Sequence, residues 1–376
     1  MFDLRKQLVS DFGEYIRSFL RIEDEEISSF VESELKSGVL WPEPLLQLNP
    51  SFEPGRLVDE LIDARVLDAR CGGIFRRGKT PDNPSGHPLR LFKHQERAIE
   101  LAQEGRNYVL TTGTGSGKSL SYILPIVDHV LRSGSGKGVR AIVVYPMNAL
   151  ANSQLNELEK YLGPRSGTPP VRFARYTGQE SMGEREAITQ NPPDIILTNY
   201  MMLELMLTRP YEQKLVSAMS ELRFLVLDEL HTYRGRQGAD VALLVRRLRE
   251  RSNASNIQCV GTSATMATSG TAAQKRTAVA DVATKLFGSV VADSDVVGES
   301  LLRWSPGSDV ASPGFQQDVR ASLNQPPSPD REAFRCHALT SWIESEVGLD
   351  VDDEDSLIRR TPTPLYGDDG SAARLS

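Results

Sequence analysis

The chain has 376 residues, of which 39% are hydrophobic and 25% are charged, and its formal net charge is −7. This composition is typical of a globular protein and argues against wholesale disorder, while the negative charge means that a nucleic acid would have to bind at a local basic groove. The three cysteines are widely spaced and form no CxxC pair, so the sequence predicts neither a zinc site nor a disulfide framework.

The N-terminal region is predicted to be helical. Apolar residues recur at three- and four-residue spacing over residues 2–20, and a second amphipathic stretch over 24–37 is followed by Gly38, a residue type that often caps helices. A further helical stretch follows near residues 57–66. The N-terminus has no apolar core of signal-peptide length, and no membrane-length apolar run follows it. We therefore expect a cytoplasmic protein without a membrane partner.

Short apolar runs alternate with helical segments after a loop at residues 80–88 that is rich in proline. Most of these runs are rich in Val, Ile and Leu without polar alternation, as expected for strands that are covered on both faces. The predicted strands cover residues 108–111, 141–145, 195–198, 224–227 and 258–262. Strands that alternate with helices predict an α/β fold with a parallel sheet.

A glycine-rich turn follows the first predicted strand and leads into a helix. Alternate glycines in the sequence TTGTGSGKS allow backbone N–H groups to turn inward around the phosphates of a nucleotide, and the positive end of the helix dipole faces the same place. Lys118 would then reach the β- and γ-phosphates, and the hydroxyl of Ser119 would ligate Mg²⁺. One position departs from the general P-loop pattern, because Thr112 stands where that pattern has glycine.

Two carboxylates follow the fourth predicted strand. The apolar run FLVL leads into Asp228 and Glu229. Asp228 would hold Mg²⁺ through water, and Glu229 would orient and polarise the attacking water, which are roles that phosphoryl transfer needs. Such a run alone is as often a strand that enters a surface loop, but a phosphate loop at a domain-sized distance upstream favours a nucleotide site.

With both halves of this site identified, the chain resembles the DEAD/DEAH-box helicases of superfamily 2. The resemblance extends over residues 91–265, where six or seven short motifs follow one another in the family's order. The family uses the form T-G-x-G-K-S/T with a small residue at its start, which accounts for Thr112. The resemblance implies a RecA-like P-loop NTPase fold, ATP and Mg²⁺ as cofactors, and nucleic acid as a partner.

The resemblance also implies a role for individual residues. Adenine recognition falls to Phe92 and Gln95, and the phosphate-binding residues are Thr112, Gly113, Thr114, Gly115, Ser116, Gly117, Lys118 and Ser119. Three loops would contact the nucleic-acid backbone, through Pro146, Asn148 and Ala149, through Thr177 and Gly178, and through Thr198 and Asn199. Coupling of ATP state to nucleic-acid binding would rest on Ser263, Ala264 and Thr265. His231 would link that motif to the catalytic residues Lys118, Asp228 and Glu229.

The subtype that the motifs resemble is a DNA helicase. YPMNALA, TNYMMLE and the long segment that begins with DELHTYRGRQGAD are similar to bacterial DNA helicases related to the mitomycin-repair helicases and to large phage-defence helicases. RNA-remodelling DEAD-box enzymes have Ala-Asp where this chain has Leu230 and His231. The resemblance therefore implies DNA rather than RNA, as a single strand or a duplex junction, with translocation from 3′ to 5′.

A motif that the family's second RecA-like domain supplies is not found in residues 266–376. This is the Q-x-x-G-R-x-x-R motif, whose arginines stabilise charge on the γ-phosphate. We predict a helical accessory region over residues 1–85, a RecA-like ATP-binding domain over 86–303 that one helix and an edge strand close, and a linker with an acidic, poorly ordered tail over 304–376. On this interpretation the chain is either a truncated product or one half of a split enzyme. It would need a second RecA-like domain or a partner subunit and be inactive alone.

Two other functions compete with this interpretation. A nucleotide- and nucleic-acid-binding module without catalysis would carry the same motifs, because every residue of the predicted ATP site is present, and only turnover separates it from an enzyme. Another P-loop NTPase, such as a small-molecule kinase or an AAA-type ATPase, would have no use for strand-contacting loops.

Overall fold

The computed structural model describes residues 2–36, 45–80, 82–83, 85–113, 115–163, 169–254, 256–264, 270–326 and 328–364. Within these residues, seven strands form one parallel sheet. In chain order they are β1 (Tyr108–Thr111), β2 (Ala141–Tyr145), β3 (Phe173–Arg175), β4 (Ile195–Asn199), β5 (Phe224–Leu227), β6 (Gln258–Ser263) and β7 (Val296–Gly298). Their order across the sheet is β7-β1-β6-β5-β2-β4-β3. The predicted parallel α/β fold is confirmed.

The five strands predicted from apolar runs are all present, and β4 and β6 each extend one residue beyond the prediction. They form because β-branched and aliphatic residues fit a surface that is covered on both sides, and every residue of β2, β5 and β6 is buried. The strand β7 is the predicted edge strand. The opposite edge strand, β3, was not predicted, because its three half-buried residues carry no apolar pattern.

Helices cover both faces of the sheet. They are α1 (Lys93–Gln103), α2 (Leu120–Ser133), α3 (Asn148–Leu162), α4 (Met182–Gln190), α5 (Tyr200–Thr208), α6 (Gly235–Ser252) and α7 (Ala272–Phe287). Two short helical turns, Pro210–Glu212 and Gln213–Ser217, follow α5. One apolar core contains buried side chains of α1, α2 and α3, and a second core on the other face contains those of α5, α6 and α7. The sheet is therefore sandwiched, and its carboxyl edge remains free for the loops that follow the strands.

The segment before α1 belongs to the same compact unit as the sheet, which comprises residues 51–302 and 351–358. Its elements are the strands Ser51–Phe52, Pro54–Leu57, Arg76–Arg77, His87–Pro88 and Arg90–Phe92 and the helices Val58–Asp63 and Cys71–Ile74. The strand Leu301–Leu302 pairs with Ser51–Phe52. This division differs from the predicted boundary at residue 85, because Val58, Leu61 and Phe75 are buried in the same apolar core as α2.

A second compact unit combines residues 1–50, 303–350 and 359–376. Its helices are Phe2–Ser18, Glu25–Lys36, Pro313–Ser322, Arg331–Arg335 and Ala338–Ile343, followed by a π-helical turn, Glu344–Gly348. The first two confirm the predicted N-terminal helices, whereas Gly38 lies outside the described residues. Short strands lie at Leu45–Leu46, Leu349–Val351, Leu357–Arg359 and Thr363–Pro364.

A helix over Pro313–Ser322 was not predicted, although its sequence carries a start signal. Ser312 accepts a hydrogen bond from the backbone N–H of Phe315, and Pro313 occupies the first turn, where a missing N–H costs nothing. The serine and proline content of this segment instead favours a linker. Among the described residues, no helix is both long and apolar enough to cross a membrane.

Candidate nucleotide and nucleic-acid site

The order of the strands places the predicted motifs in two groups along the carboxyl edge of the sheet. The phosphate loop follows β1, the coupling motif follows β6 and the acidic pair follows β5, and these three strands are neighbours. The three predicted strand-contacting loops follow β2, β4 and β3, which are neighbours as well. Ligand sites of parallel sheets lie at this edge, because helix N-termini and loop ends meet there.

The phosphate loop is closed at its base by two hydroxyl groups. Thr112 Oγ1 and Ser116 Oγ are 2.7 Å apart, and both residues are buried. Thr112, which replaces the glycine of the general pattern, thus forms a hydrogen bond across the base of the loop. Gly115 and Gly117 have φ angles of 82° and 70°, a left-handed conformation that suits glycine. Thr114 lies outside the described residues.

A residue at the start of α1 forms a hydrogen bond to the phosphate loop. Gln95 Nε2 donates to the carbonyl of Gly117 at 2.9 Å, and Gln95 Oε1 accepts from the backbone N–H of Phe92 at 2.9 Å. A side chain at position 117 would meet Gln95, since a Cβ there would lie 2.6 Å from Gln95 Nε2. The amide of Gln95 is therefore occupied by the loop and by the chain before α1, and only 2% of the residue is exposed.

An aromatic cluster lies beside Gln95. The rings of Phe92 and His94 are stacked with centroids 5.6 Å apart, and Phe52 lies 5.1 Å from Phe92. His94 Nε2 is 2.9 Å from the carbonyl oxygen of Ser116, which can only accept a hydrogen bond. Burial lowers the pKa of His94, which keeps its ring neutral at neutral pH. His94 thus donates to the loop through Nε2.

Lys118 and Glu229 face each other across the centre of the site. Lys118 Nζ lies 3.6 Å from Glu229 Oε1, and their side chains are 13% and 23% exposed. Lys118 Nζ is shielded from solvent and has no hydrogen-bond partner among the described residues. A buried ammonium group without such partners is costly, so this cation is suited to an anionic ligand.

Thr262, at the end of β6, joins the two acidic residues. Its hydroxyl donates to Asp228 Oδ1 and accepts from the backbone N–H of Glu229 at 3.1 Å. Burial raises the pKa of Asp228, because the low-dielectric surroundings disfavour its charged form. A nearby cation would stabilise the charged form of this carboxylate.

The coupling motif lies next to the acidic pair. His231 Nδ1 is 3.2 Å from Glu229 Oε2 and 3.3 Å from Ser263 Oγ. His231 therefore lies close to both motifs, as the predicted link between them requires. Ala264 follows directly, and Thr265 lies outside the described residues.

These features fit a magnesium nucleotide. The inward-turning loop and the Lys118 ammonium, which has no hydrogen-bond partner among the described residues, suit phosphates. Ser119 and Asp228 supply oxygen ligands of the kind that Mg²⁺ prefers. No group of three or more His, Cys, Asp or Glu side chains in the described part of the chain is arranged to hold a metal. Phosphate oxygens would have to complete the coordination, as is usual for Mg²⁺ in phosphoryl-transfer sites.

The three predicted strand-contacting loops form one continuous patch. Asn199 Nδ2 donates to Asn148 Oδ1 at 2.6 Å and to the carbonyl of Thr177 at 3.1 Å. Thr198 Oγ1 donates to the carbonyl of Tyr176 at 2.6 Å. Pro146, just before α3, is half-buried, and Ala149, in the first turn of α3, is exposed. The amide of Asn199 therefore ties the ends of β2, β3 and β4 together.

A buried carboxylate that was not predicted orders the middle loop of this patch. Glu180 accepts hydrogen bonds from the backbone N–H groups of Thr177 and Gly178, each at 2.9 Å, and from Arg175 Nε at 2.8 Å. Burial opposes ionisation of Glu180, but these hydrogen bonds outweigh it and hold its pKa below the ordinary value. The backbone N–H groups of Thr177 and Gly178, in the middle strand-contacting loop, are thus already hydrogen-bonded within the protein.

Sequence reasoning missed four residues of the site, namely Thr262, Glu180, Gln154 and Glu299. Gln154 Oε1 accepts from Ser119 Oγ at 2.8 Å, and Glu299 Oε1 accepts from the backbone N–H of Gly113 at 2.5 Å. Glu299 directly follows β7, which pairs with β1. The rule that loops after neighbouring parallel strands share a site could have found Glu299 and Thr262. No pattern in the sequence indicates the contacts of Glu180 and Gln154.

Comparison with known proteins agrees with this geometry. The family profile of DEAD/DEAH box helicases matches residues 92–272. The Druantia protein DruE of Escherichia coli (strain UMEA 4076-1) is 28% identical over 70% of this chain and 20% of its own length. The uncharacterized ATP-dependent helicase YprA of Bacillus subtilis (strain 168) is 33% identical over 59% of this chain and 27% of its own length. The chain therefore spans a fifth to about a quarter of these relatives.

A solved structure shares the fold. The crystal structure of the DUF1998 helicase MrfA bound to DNA superimposes with a TM-score of 0.52 and 26% identity, over 68% of this chain and 30% of that chain. The sheet order, the grouping of the motifs and these similarities point to one family. Residues 92–272 of the chain match the DEAD/DEAH box helicase family.

Proposed function

We propose that this chain binds ATP with Mg²⁺ and a single strand of nucleic acid, DNA in preference to RNA, as the first RecA-like half of a helicase motor. One observation carries the nucleotide part of the proposal. The buried ammonium group of Lys118 has no hydrogen-bond partner among the described residues and faces Glu229 at 3.6 Å, at the mouth of a glycine-rich loop. A phosphate ligand would pair this cation.

The residues divide the chemistry of hydrolysis among them. Lys118 would bind the β- and γ-phosphates, and Ser119 and Asp228 would hold the metal ion, which supplies charge neutralisation when bound. Glu229 would orient a water for attack on the γ-phosphate. Thr262 would fix Asp228 and Glu229 relative to each other, since its hydroxyl bonds to both.

DNA is the preferred partner for two reasons. MrfA, the structural relative above, is bound to DNA in its crystal structure. The sequence at Leu230 and His231 departs from the Ala-Asp of RNA-remodelling DEAD-box enzymes. The patch around Asn148, Thr177 and Asn199 would contact the backbone of the strand, because polar side chains are common partners of phosphate oxygens.

Turnover and unwinding would require a second RecA-like domain. Residues 266–376 contain no Q-x-x-G-R-x-x-R motif, and arginines of that kind raise phosphoryl-transfer rates by about 10³–10⁵. The chain alone is therefore expected to bind the magnesium nucleotide, to hydrolyse ATP very slowly and to unwind nothing.

The first experiment measures binding of a fluorescent ATP analogue with Mg²⁺ to the chain and to its Lys118→Ala variant. We expect the affinity to fall about tenfold or more in the variant, because hydrogen bonds to charged groups contribute roughly 1.5–3 kcal/mol. Lys137→Ala is the matched control, since Lys137 is an exposed lysine whose ammonium bonds only to the carbonyl of Ser133 among the described residues. Equal affinity of the chain and Lys118→Ala would contradict the nucleotide site.

A second experiment measures ATP turnover with single-stranded DNA, with and without a second RecA-like domain supplied in trans. We expect the added domain to raise turnover, and Glu229→Gln to bind nucleotide normally without hydrolysing it. Turnover no higher than that of Glu229→Gln under both conditions would favour the binding module without catalysis. Robust strand separation by the chain alone would contradict the need for a second domain.

A further inference from the structure

The last residue of the phosphate loop is hydrogen-bonded to a helix that leads to the strand-contacting patch. Ser119 Oγ donates to Gln154 Oε1 at 2.8 Å, and both side chains are partly buried. Gln154 lies in α3, six residues after Asn148, where that helix begins. Six residues span about 9 Å of an α-helix, so one short rigid element connects the two groups of motifs.

Other residues of α3 bond to the strand-contacting loops. Asn148 Oδ1 accepts from Asn199 Nδ2 at 2.6 Å, and Asn152 Oδ1 accepts from Arg175 Nη1 at 2.5 Å. Arg175 in turn binds the carboxylate of Glu180, which holds the backbone N–H groups of the middle loop. A displacement of α3 would therefore move the loop that carries Asn148 and, through these hydrogen bonds, the other two loops.

The helix is suited to transmit a displacement as a unit. Ala151, Leu158 and Leu162 are buried in the core on one face of the sheet. Packed cores resist continuous deformation, so a force at Gln154 shifts α3 as a body.

The direction of the hydrogen bond matters for the nucleotide site. A serine hydroxyl has one hydrogen and two lone pairs. Because Ser119 gives its hydrogen to Gln154, its lone pairs are directed elsewhere and are free to ligate a metal ion. If Ser119 ligates a metal ion, its hydroxyl would become more polarised and would donate a stronger hydrogen bond to Gln154, since hydrogen bonds of charged groups are the stronger ones. The Ser119–Gln154 bond would thus differ in strength between the nucleotide-bound and nucleotide-free states.

We propose that Gln154 is a positioning residue that orients the hydroxyl of Ser119 and, through α3, couples binding of the magnesium nucleotide to binding of the nucleic-acid strand. The inference rests on the proposed function. Coupling of two sites requires an interaction that differs between the two ligand states, and the Ser119–Gln154 bond supplies it. The coupling is reciprocal, so the strand should also change nucleotide affinity by the same factor.

The test measures binding of a fluorescent single-stranded oligodeoxythymidylate to the full chain by anisotropy, with and without Mg²⁺ and a non-hydrolysable ATP analogue. We expect the nucleotide to change the DNA affinity of the wild-type chain by about fivefold or more. In Gln154→Ala this change should shrink to less than twofold. Gln154→Glu keeps the acceptor for Ser119 and should retain the coupling. Ser153→Ala, at the exposed neighbouring position on α3, is the matched control.

The outcomes separate this inference from the proposed function. A wild-type chain that binds neither ligand by itself overturns the proposed function and the inference with it. If the wild-type chain binds both ligands, equal coupling in Gln154→Ala and wild type overturns the role of Gln154 alone. Absence of coupling in wild type overturns it as well. Should Gln154→Ala fail to fold, loss of coupling in a folded Gln154→Glu would contradict the role of the acceptor.

Discussion

At the scale of single residues, the backbone conformation of Glu229 directs its carboxylate toward Lys118. Successive residues of a strand point to opposite faces, so Asp228 and Glu229 would diverge if β5 continued. Glu229 instead adopts a left-handed conformation with φ 54° and ψ 57°, and its side chain faces Lys118. A non-glycine residue in this region carries strain of about 1–2 kcal/mol. Strain of this kind persists where the surrounding structure over-determines a functional site.

This strain leads to a prediction for Glu229→Gly. Glycine adopts the left-handed conformation without penalty but loses more entropy on folding, so we expect the free energy of unfolding of Glu229→Gly to exceed that of Glu229→Gln by roughly 0.5–1 kcal/mol. Urea denaturation measures it. Both variants lack the carboxylate that faces Lys118, whereas only Glu229→Gln keeps a side chain and therefore the strain. Neither variant should hydrolyse ATP in the presence of a second RecA-like domain. A Glu229→Gly variant no more stable than Glu229→Gln would contradict the strain.

At the scale of secondary-structure elements, α2 tolerates a proline in its interior. Pro125 has no N–H, so the carbonyl of Ser121 loses the helical hydrogen bond that residue 125 would donate. The hydroxyl of Tyr108, in β1, donates to that carbonyl at 2.9 Å. The hydroxyl of Tyr108 thereby replaces the hydrogen bond that Pro125 cannot donate. The same bond connects the strand before the phosphate loop to the helix after it.

Tyr108→Phe should therefore cost more than a surface substitution. It leaves a buried carbonyl without a partner, and we expect a loss of about 1–3 kcal/mol in the free energy of unfolding. In a Pro125→Ala background, residue 125 can donate to Ser121, so Tyr108→Phe should then cost less than in the wild-type chain. Denaturant unfolding of the four members of this double-mutant cycle measures the difference. Equal costs in both backgrounds would show that the two residues act independently.

Elements and contacts differ in how far the sequence predicts them. The strands β1, β2 and β5 matched their predicted bounds because buried parallel strands concentrate Val, Ile and Leu. The phosphate loop and acidic pair were predictable because short patterns carry their chemistry. The contacts of Thr262 with Asp228 and of Gln154 with Ser119 join residues 34 and 35 positions apart. Such contacts depend on strand order and helix placement, which local patterns do not encode.

At the scale of the whole molecule, the division into compact units also lay beyond the sequence patterns. Residues 1–50 and 303–350 belong to one unit although more than 250 residues separate them. Local composition favoured a helical region at one end and a linker at the other. Within that unit, the carboxylate of Glu344 accepts from the backbone N–H groups of Trp304 and Ser305, each at 2.7 Å. A segment that looked like a linker is thus fixed by one distant side chain.

Net charge and the chemistry of the patch together predict how DNA binding responds to salt. The chain has a formal charge of −7, and the side chains of Asn148, Thr177 and Asn199 in the patch are neutral. Two guanidinium groups lie beside the patch: that of Arg175 is bound by Glu180 and Asn152, and that of Arg185 donates to the carbonyl of Gly178. Few phosphates would be neutralised by cations, and the slope of log affinity against log salt for a single strand is about −0.7 per neutralised phosphate.

We therefore expect affinity for a single-stranded oligonucleotide to fall less than about tenfold between 50 and 200 mM KCl, whereas six to ten ionic phosphate contacts would lower it by about 10³–10⁵. Anisotropy titrations at several salt concentrations measure this. Asn199→Ala should weaken binding at every concentration without changing the slope, because it removes no charge. A thousandfold loss of DNA affinity over the same range of salt would indicate that the strand binds in a basic groove instead. The exposed residues Arg234 and Arg236, just beyond the acidic pair, would then be the first to replace with glutamine, and each should make the slope shallower.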